Sequence, residues 1–153
     1  MQYIITLQTL PTSQPTAILR RQASLPELPK VVPETCGDVW RLVRAQNIQG
    51  AGRNLALYLD DQINMEIGVE LGAPLAVSAP LIASALPAGT VAATTHFGPY
   101  PQLPHAHQAV RDFCRLHGHT LAGPNWEIYG HWQDSWKTDP SKIRTDVFYL
   151  LKD

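Results

Sequence analysis

The sequence predicts a mixed α+β fold made of two related halves, and three observations carry that reading. Residues 64–71 alternate strictly, with Met65, Ile67, Val69 and Leu71 apolar and Asn64, Glu66, Gly68 and Glu70 between them, as in a strand with one buried face. Two stretches, from Pro33 to about Gly50 and from Pro101 to His117, carry apolar residues at helical spacing. The order strand, helix, strand, strand then occurs twice, in about residues 1–75 and again in about 76–153 of what reads as one domain.

Taken in order, Tyr3 to Leu10 is rich in β-branched and aromatic residues and stops at Pro11, which suits a first strand. Ala17 to Ala23 is a second extended piece. Leu25 to Pro33 carries three prolines and reads as a loop. Pro33 then opens a helix whose stripe of Val39, Trp40, Leu42 and Val43 ends near Gly50 or Gly52. Asn54 to Leu59 and Ile63 to Leu71 form a hairpin pattern around Asp60-Asp61. From Leu71 to Val110 there is no Asp, Glu, Lys or Arg, yet Pro74, Pro80, Pro87 and Gly89 break the run into pieces too short to span a membrane, so it reads as buried strands and turns. Within it Gly89 to Phe97 is a strand. The second helix places Leu103, Val110, Phe113 and Leu116 roughly on one side and closes at Gly118. Asn125 to Tyr129 and the apolar run Val147 to Leu151 supply the last strands.

The two halves share landmarks: Asn54 with Asn125, Tyr58 with Tyr129, and Ile63 with Ile143. A pseudo-twofold between half-domains follows, and a cleft is expected at their seam. In this alignment Glu127 matches Ala56, so a carboxylate in one half faces a methyl group in the other, with room across the axis for a flat ligand.

On a strand, Asn125, Glu127 and Tyr129 share one side and Trp126 and Ile128 the other. Glu127 therefore reads either as an ordinary exposed strand glutamate or as the charged floor of a small-molecule pocket. In a pocket it would lose hydration and its pKa would rise unless a ligand cation or a nearby Arg compensated, so the empty site would be unsatisfied until a planar cation paired with it and stacked on aromatic side chains. Tyr58, Tyr129, Phe97 and Phe148 are the aromatic candidates. Trp40 and Trp126 are further ones, although the stripe of the first and the parity of the second also suit a core. The same Glu127 with Tyr129 or Tyr58 could act as an acid–base pair, which makes catalysis the second reading.

Apolar residues make up 44% and charged residues 16% of the 153, a globular composition. A net charge of −1 with scattered Lys and Arg argues against direct nucleic-acid binding. Cys36 and Cys114 lie in separate helices without CxxC partners; one disulfide is arithmetically possible, and two reduced thiols in a cytoplasmic protein is the simpler reading. No basic leader precedes the first strand. His105-Ala106-His107 and His117-Gly118-His119 lack a Glu or Cys at ligand spacing, so neither a metal site nor a cofactor is expected.

His96-Phe97-Gly98-Pro99-Tyr100, the helix after it, Gly123-Pro124-Asn125-Trp126-Glu127-Ile128-Tyr129, and the tail from Asp139-Pro140 to Leu151 together resemble the GyrI-like small-molecule-binding family, also called the transcription-activator effector-binding or multidrug-binding domain. The resemblance implies an antiparallel sheet backed by helices, with a ligand cleft between the two modules. It implies that Glu127 lies in that cleft among aromatic side chains and neutralises cationic or polar aromatic ligands. Relatives are fused to helix-turn-helix domains, a module not expected from this sequence, or stand alone as a gyrase-inhibitory protein and as hydrolases of cyclopropane-bearing genotoxic compounds. A drug-like ligand, a hydrolytic activity and a protein partner such as gyrase are thus the three functions the resemblance offers. His131 to Lys137 adds Trp132 and Trp136 near the expected cleft.

Overall fold

The structure, a computed structural model, describes residues 2–60 and 63–153. Eight strands form one sheet: β1 (Thr6–Leu10), β2 (Gln14–Gln22), β3 (Ala51–Tyr58), β4 (Asn64–Leu71), β5 (Ile82–Leu86), β6 (Gly89–Phe97), β7 (Leu121–Tyr129) and β8 (Arg144–Leu151). Two long helices, α1 (Leu28–Ala45) and α2 (Leu103–Leu116), and a single turn, α3 (Ser135–Thr138), complete it. The strands run in the order β1-β6-β8-β7-β3-β4-β2-β5, and the paired strands are antiparallel throughout.

That order is symmetric about the β7–β3 pair. β2, α1, β3 and β4 make one module and β6, α2, β7 and β8 the other, as the doubled pattern predicts. The short strands β1 and β5 are exchanged: β1 pairs with β6 of the second module and β5 with β2 of the first.

The helices cover one face, α1 over β2, β3 and β4 and α2 over β6 and β8. The alternation in β4 is seen directly, since Met65, Ile67, Val69 and Leu71 join the clusters beneath α1. The opposite face has its own core, centred on Ile18, Leu55, Leu57, Val91, Ala93, Trp126 and Ile128. Leu10 of β1 and Leu86 of β5 come from the two ends of the strand order and meet the same core, so the sheet is strongly curled around it. Gly68 of β4 sits in this bend: a Cβ there would lie 1.9 Å from the carbonyl oxygen of Ala17 on β2.

Leu25 to Pro33, expected to be a loop, is a 3-10 turn over Leu25–Glu27 followed by the first turns of α1. Pro26 and Pro29 fall at first-turn positions, where a missing N–H has no intrahelical partner to lose. Ser24 closes the start, its backbone N–H donating to Glu27 Oε1 at 2.9 Å. Only Pro33 stands inside the helix. Of the turn expected at Asp60-Asp61, Asp61 lies outside the described residues, and Asp60 accepts from the Asn64 side chain at 2.7 Å.

His96 on β6 is fully buried. Its Nδ1 accepts from the Tyr3 hydroxyl at 2.8 Å and its Nε2 donates to the Pro99 carbonyl at 3.3 Å. Burial holds its pKa below the ordinary histidine value, against the raising effect of the Pro99 bond. A depressed pKa means that the unfolded chain binds the proton more readily, so this contribution is present above about pH 6.5 and is lost as pH falls. His96→Gln should therefore flatten the decline in melting temperature between pH 8 and pH 5; a slope equal to the parent's would show that His96 does not set it.

Candidate functional site

The ladder between β3 and β7 pairs Ala56 with Glu127, and these are also the two residues that the repeat makes equivalent. The pseudo-twofold axis therefore passes through this pair. Only on the axis can two equivalent positions face each other, and there the chain has placed one carboxylate and one methyl group.

The helices obey the same symmetry. At the exit of α1 the Ile48 N–H donates to the Val43 carbonyl at 3.0 Å, and at the exit of α2 His119 donates to Cys114 at 2.9 Å. Counted back equally along each helix from Val43 and Cys114, Cys36 and His107 occupy equivalent positions. Cys36 packs in the apolar cluster that holds Ala56, Met65 and Ile67, and burial pushes its thiol up to about 12. His107 points at Glu127.

Glu127 is 5% exposed and its carboxylate has three donors. Oε1 accepts from the Tyr129 hydroxyl at 2.5 Å and from the Tyr58 hydroxyl at 3.1 Å. Oε2 accepts from His107 Nε2 at 2.6 Å. Behind the imidazole, Nδ1 meets the Tyr149 hydroxyl at 2.6 Å, and that oxygen accepts from Arg111 Nη1 at 2.8 Å. A continuous chain thus runs from Arg111 through Tyr149 and His107 to the carboxylate. With Arg111 donating to Tyr149, the phenol proton is free to go to Nδ1, which leaves the imidazole proton on Nε2 for Glu127.

The expected rise in the Glu127 pKa does not occur. Burial pushes it up, but the hydrogen bonds from His107, Tyr129 and Tyr58 outweigh burial and hold the carboxyl below the usual carboxylate value. The empty site is satisfied by the chain itself. The phenols stay protonated as donors: burial and the Glu127 charge raise both Tyr58 and Tyr129, and burial pushes Tyr149 up to about 12.

Of the residues singled out from sequence, Glu127, Tyr129 and Tyr58 come together. Trp126 and Phe148 do not: they pair across β7 and β8 and stack on the opposite face, ring centroids 5.6 Å apart. Phe97 shares their face by strand parity and is half exposed at the end of β6. Trp40 anchors α1, its indole N–H donating to Asn54 Oδ1 at 2.8 Å. Trp136 is buried against Trp132 beyond the end of β7, where a Cβ on Gly130 would lie 3.1 Å from its ring.

Sequence reasoning missed His107, Tyr149, Arg111 and Tyr100. Tyr149 was legible by parity, since it shares a strand face with Val147 and Leu151, the side that pairs with Asn125 and Glu127. His107 lies four residues after Leu103 and three before Val110, both buried against β6 and β8, so it belongs to the inward side of α2. Tyr100 meets Tyr129 edge-on with ring centroids 6.0 Å apart. Thr145, fully buried on the same sheet face between His96 and Tyr129, carries the one buried side-chain polar atom without a partner among the described residues. Two surface cavities of about 300 Å³, one beside Gln46 to Gln49 and one beside Arg20 to Gln22, are lined by none of these residues. No helix of the described residues is long and apolar enough to cross a membrane.

A family model described as the GyrI-like small molecule binding domain matches residues 14–152. The chain belongs to the GyrI-like family. The fold of this GyrI-like domain is shared with the EcmrR C-terminal domain, with TM-score 0.80, 19% identity, and 100% of this chain covering 99% of that one. SAV2435 bound to tetraphenylphosphonium follows with TM-score 0.70, 15% identity, and coverage of 99% and 94%. A hydrolase from Listeria innocua has TM-score 0.64, 11% identity, and coverage of 97% and 91%. No curated protein sequence matches the chain significantly.

Proposed function

We propose that this GyrI-like domain binds an aromatic or cationic small molecule at Glu127 and so senses or sequesters toxic compounds. The observation that carries the reading is one carboxylate, withdrawn from water on the symmetry axis and ringed by tyrosines. A buried anion among aromatic faces is complementary to a planar cation, which gains both ion pairing and cation–π contact. Structural likeness to a protein bound to tetraphenylphosphonium, a bulky aromatic cation, agrees with a ligand that is both cationic and aromatic.

Glu127→Gln keeps the size of the side chain and removes its charge. Affinity for a fluorescent cationic dye, followed by anisotropy, should fall at least about tenfold, with a salt dependence weaker than the parent's and an unchanged circular dichroism spectrum. Equal affinity in the two proteins would remove Glu127 from the site.

The chain Tyr149–His107–Glu127 favours a second, hydrolytic reading, because it can hold and deliver a proton at the carboxylate. On that reading an electrophilic ligand is consumed, and mass spectrometry of the mixture shows a product one water heavier. A ligand recovered unaltered would leave binding alone.

A further inference from the structure

We propose that His107 is the chain's own occupant of the ligand's seat, and that the domain therefore selects cations bearing N–H groups, such as an ammonium or amidinium on an apolar body, over quaternary cations of similar size. The inference rests on Glu127 being the seat and names the class of ligand that can take it.

Three facts carry it. The carboxylate is 5% exposed, and its two oxygens take three donors, all from the protein, at 2.5 to 3.1 Å. Enclosed in this way, the carboxylate is reached most directly when a cation takes the place of one of these donors. Tyr58 and Tyr129 belong to β3 and β7, the central strands, and both serve Oε1, so losing either leaves that oxygen still bonded. His107 alone serves Oε2 and comes from a helix laid over the sheet, which makes it the donor whose place a ligand takes.

A carboxylate oxygen stripped of its donor in a buried site is strongly disfavoured unless a new donor arrives. An N–H cation replaces the imidazole bond for bond, and the argument holds whether His107 is neutral or protonated, since Nε2–H donates in both states. A tetraalkyl cation brings charge but no donor. It would leave Oε2 unbonded and stand farther off.

The symmetry sets the ligand's orientation. The position equivalent to His107 is Cys36, and the position equivalent to Glu127 is Ala56, in a cluster with Val31, Val32 and Met65. That half has an un-ionised thiol and hydrocarbon, so the apolar body lies toward α1 and the N–H head toward α2.

The test compares 4-phenylbenzylamine with its N,N,N-trimethyl salt, both cationic at pH 7, by isothermal titration calorimetry. The parent should bind the amine about tenfold more tightly. In His107→Ala the seat is vacant, so both compounds should bind about tenfold more tightly than they do to the parent, and the preference for the amine should persist. An amine affinity in His107→Ala no tighter than the parent's, or a parent that favours the quaternary salt or takes neither compound, overturns the inference. If the cationic dye still binds and still depends on Glu127, only the role of His107 falls; if it does not, the seat itself falls with it. Should His107→Ala not fold, the parent gives the same answer by nitrogen-15 NMR: the His107 Nε2–H resonance should shift on saturation with the amine, and an unmoved resonance counts against displacement.

Discussion

Gly68→Ala is expected to destabilise the fold by about 3 kcal/mol or more, read from the midpoint of urea unfolding. The added Cβ would lie 1.9 Å from the Ala17 carbonyl oxygen and 2.8 Å from both the Ala17 carbonyl carbon and the Ile18 Cα. These are backbone atoms of a neighbouring strand, so no rotamer change relieves the overlap. Nor can the strands part cheaply, because Gly68 pairs with Ile18 on one side and Leu55 on the other. Its carbonyl also accepts from the Asn54 side chain at 3.2 Å, and Asn54 in turn holds Trp40 of α1. A shift at Gly68 would therefore propagate to the helix. Gly37→Ala is the control, since nothing lies within 4 Å of a Cβ in that helical position. It should be neutral or stabilising by up to about 1 kcal/mol. Equal midpoints for the two variants would contradict the close approach of β2 and β4.

Trp126→Ala should lower stability by about 3–5 kcal/mol and yet leave the dye affinity of the folded protein within about twofold. The indole is 1% exposed, stacks on Phe148, and lies at the centre of the core inside the curled sheet. It is one residue from Glu127 along the chain and a full sheet thickness from it in space. Urea unfolding and dye titration separate the two effects. A stable variant that no longer takes the dye would instead place Trp126 in the site.

Much of this was readable before any coordinates. Period-two alternation in Met65 to Leu71 and helical spacing in α2 named elements whose hydrophobic faces decide their own type. The Asn54/Asn125 and Tyr58/Tyr129 matches located the axis, because a strand pair at a twofold must meet at equivalent residues. The limits were equally physical. Three prolines in Leu25 to Pro33 argued for a loop, but proline breaks a helix only beyond its first turn, and sequence alone does not say where that turn falls. Phe97 and Phe148 were grouped with Glu127 for their aromaticity, and Trp126 was kept beside them although its parity already suited a core; all three lie on the face opposite Glu127. His107 was weighed as a metal ligand beside His105 and discarded, because its true partner lies on β7 and only packing of α2 on the sheet brings them together. The satisfied state of Glu127 depends on that long-range contact and on Tyr58 from the other module, which is why the pKa expectation failed.

The exchange of β1 and β5 has a consequence for how the chain comes into being. Thr6–Leu10 has its hydrogen-bonding partner in Gly89–Ala93, so during synthesis this strand must wait for roughly eighty further residues before it has anywhere to go. Neither module can be cut out and expected to stand, because each would depart carrying an edge that belongs to its sibling and leave its own behind. Because both halves lie on one chain, the sequence is free to put an acid on one side of this clasp and a methyl group on the other, which two identical separate chains could not do.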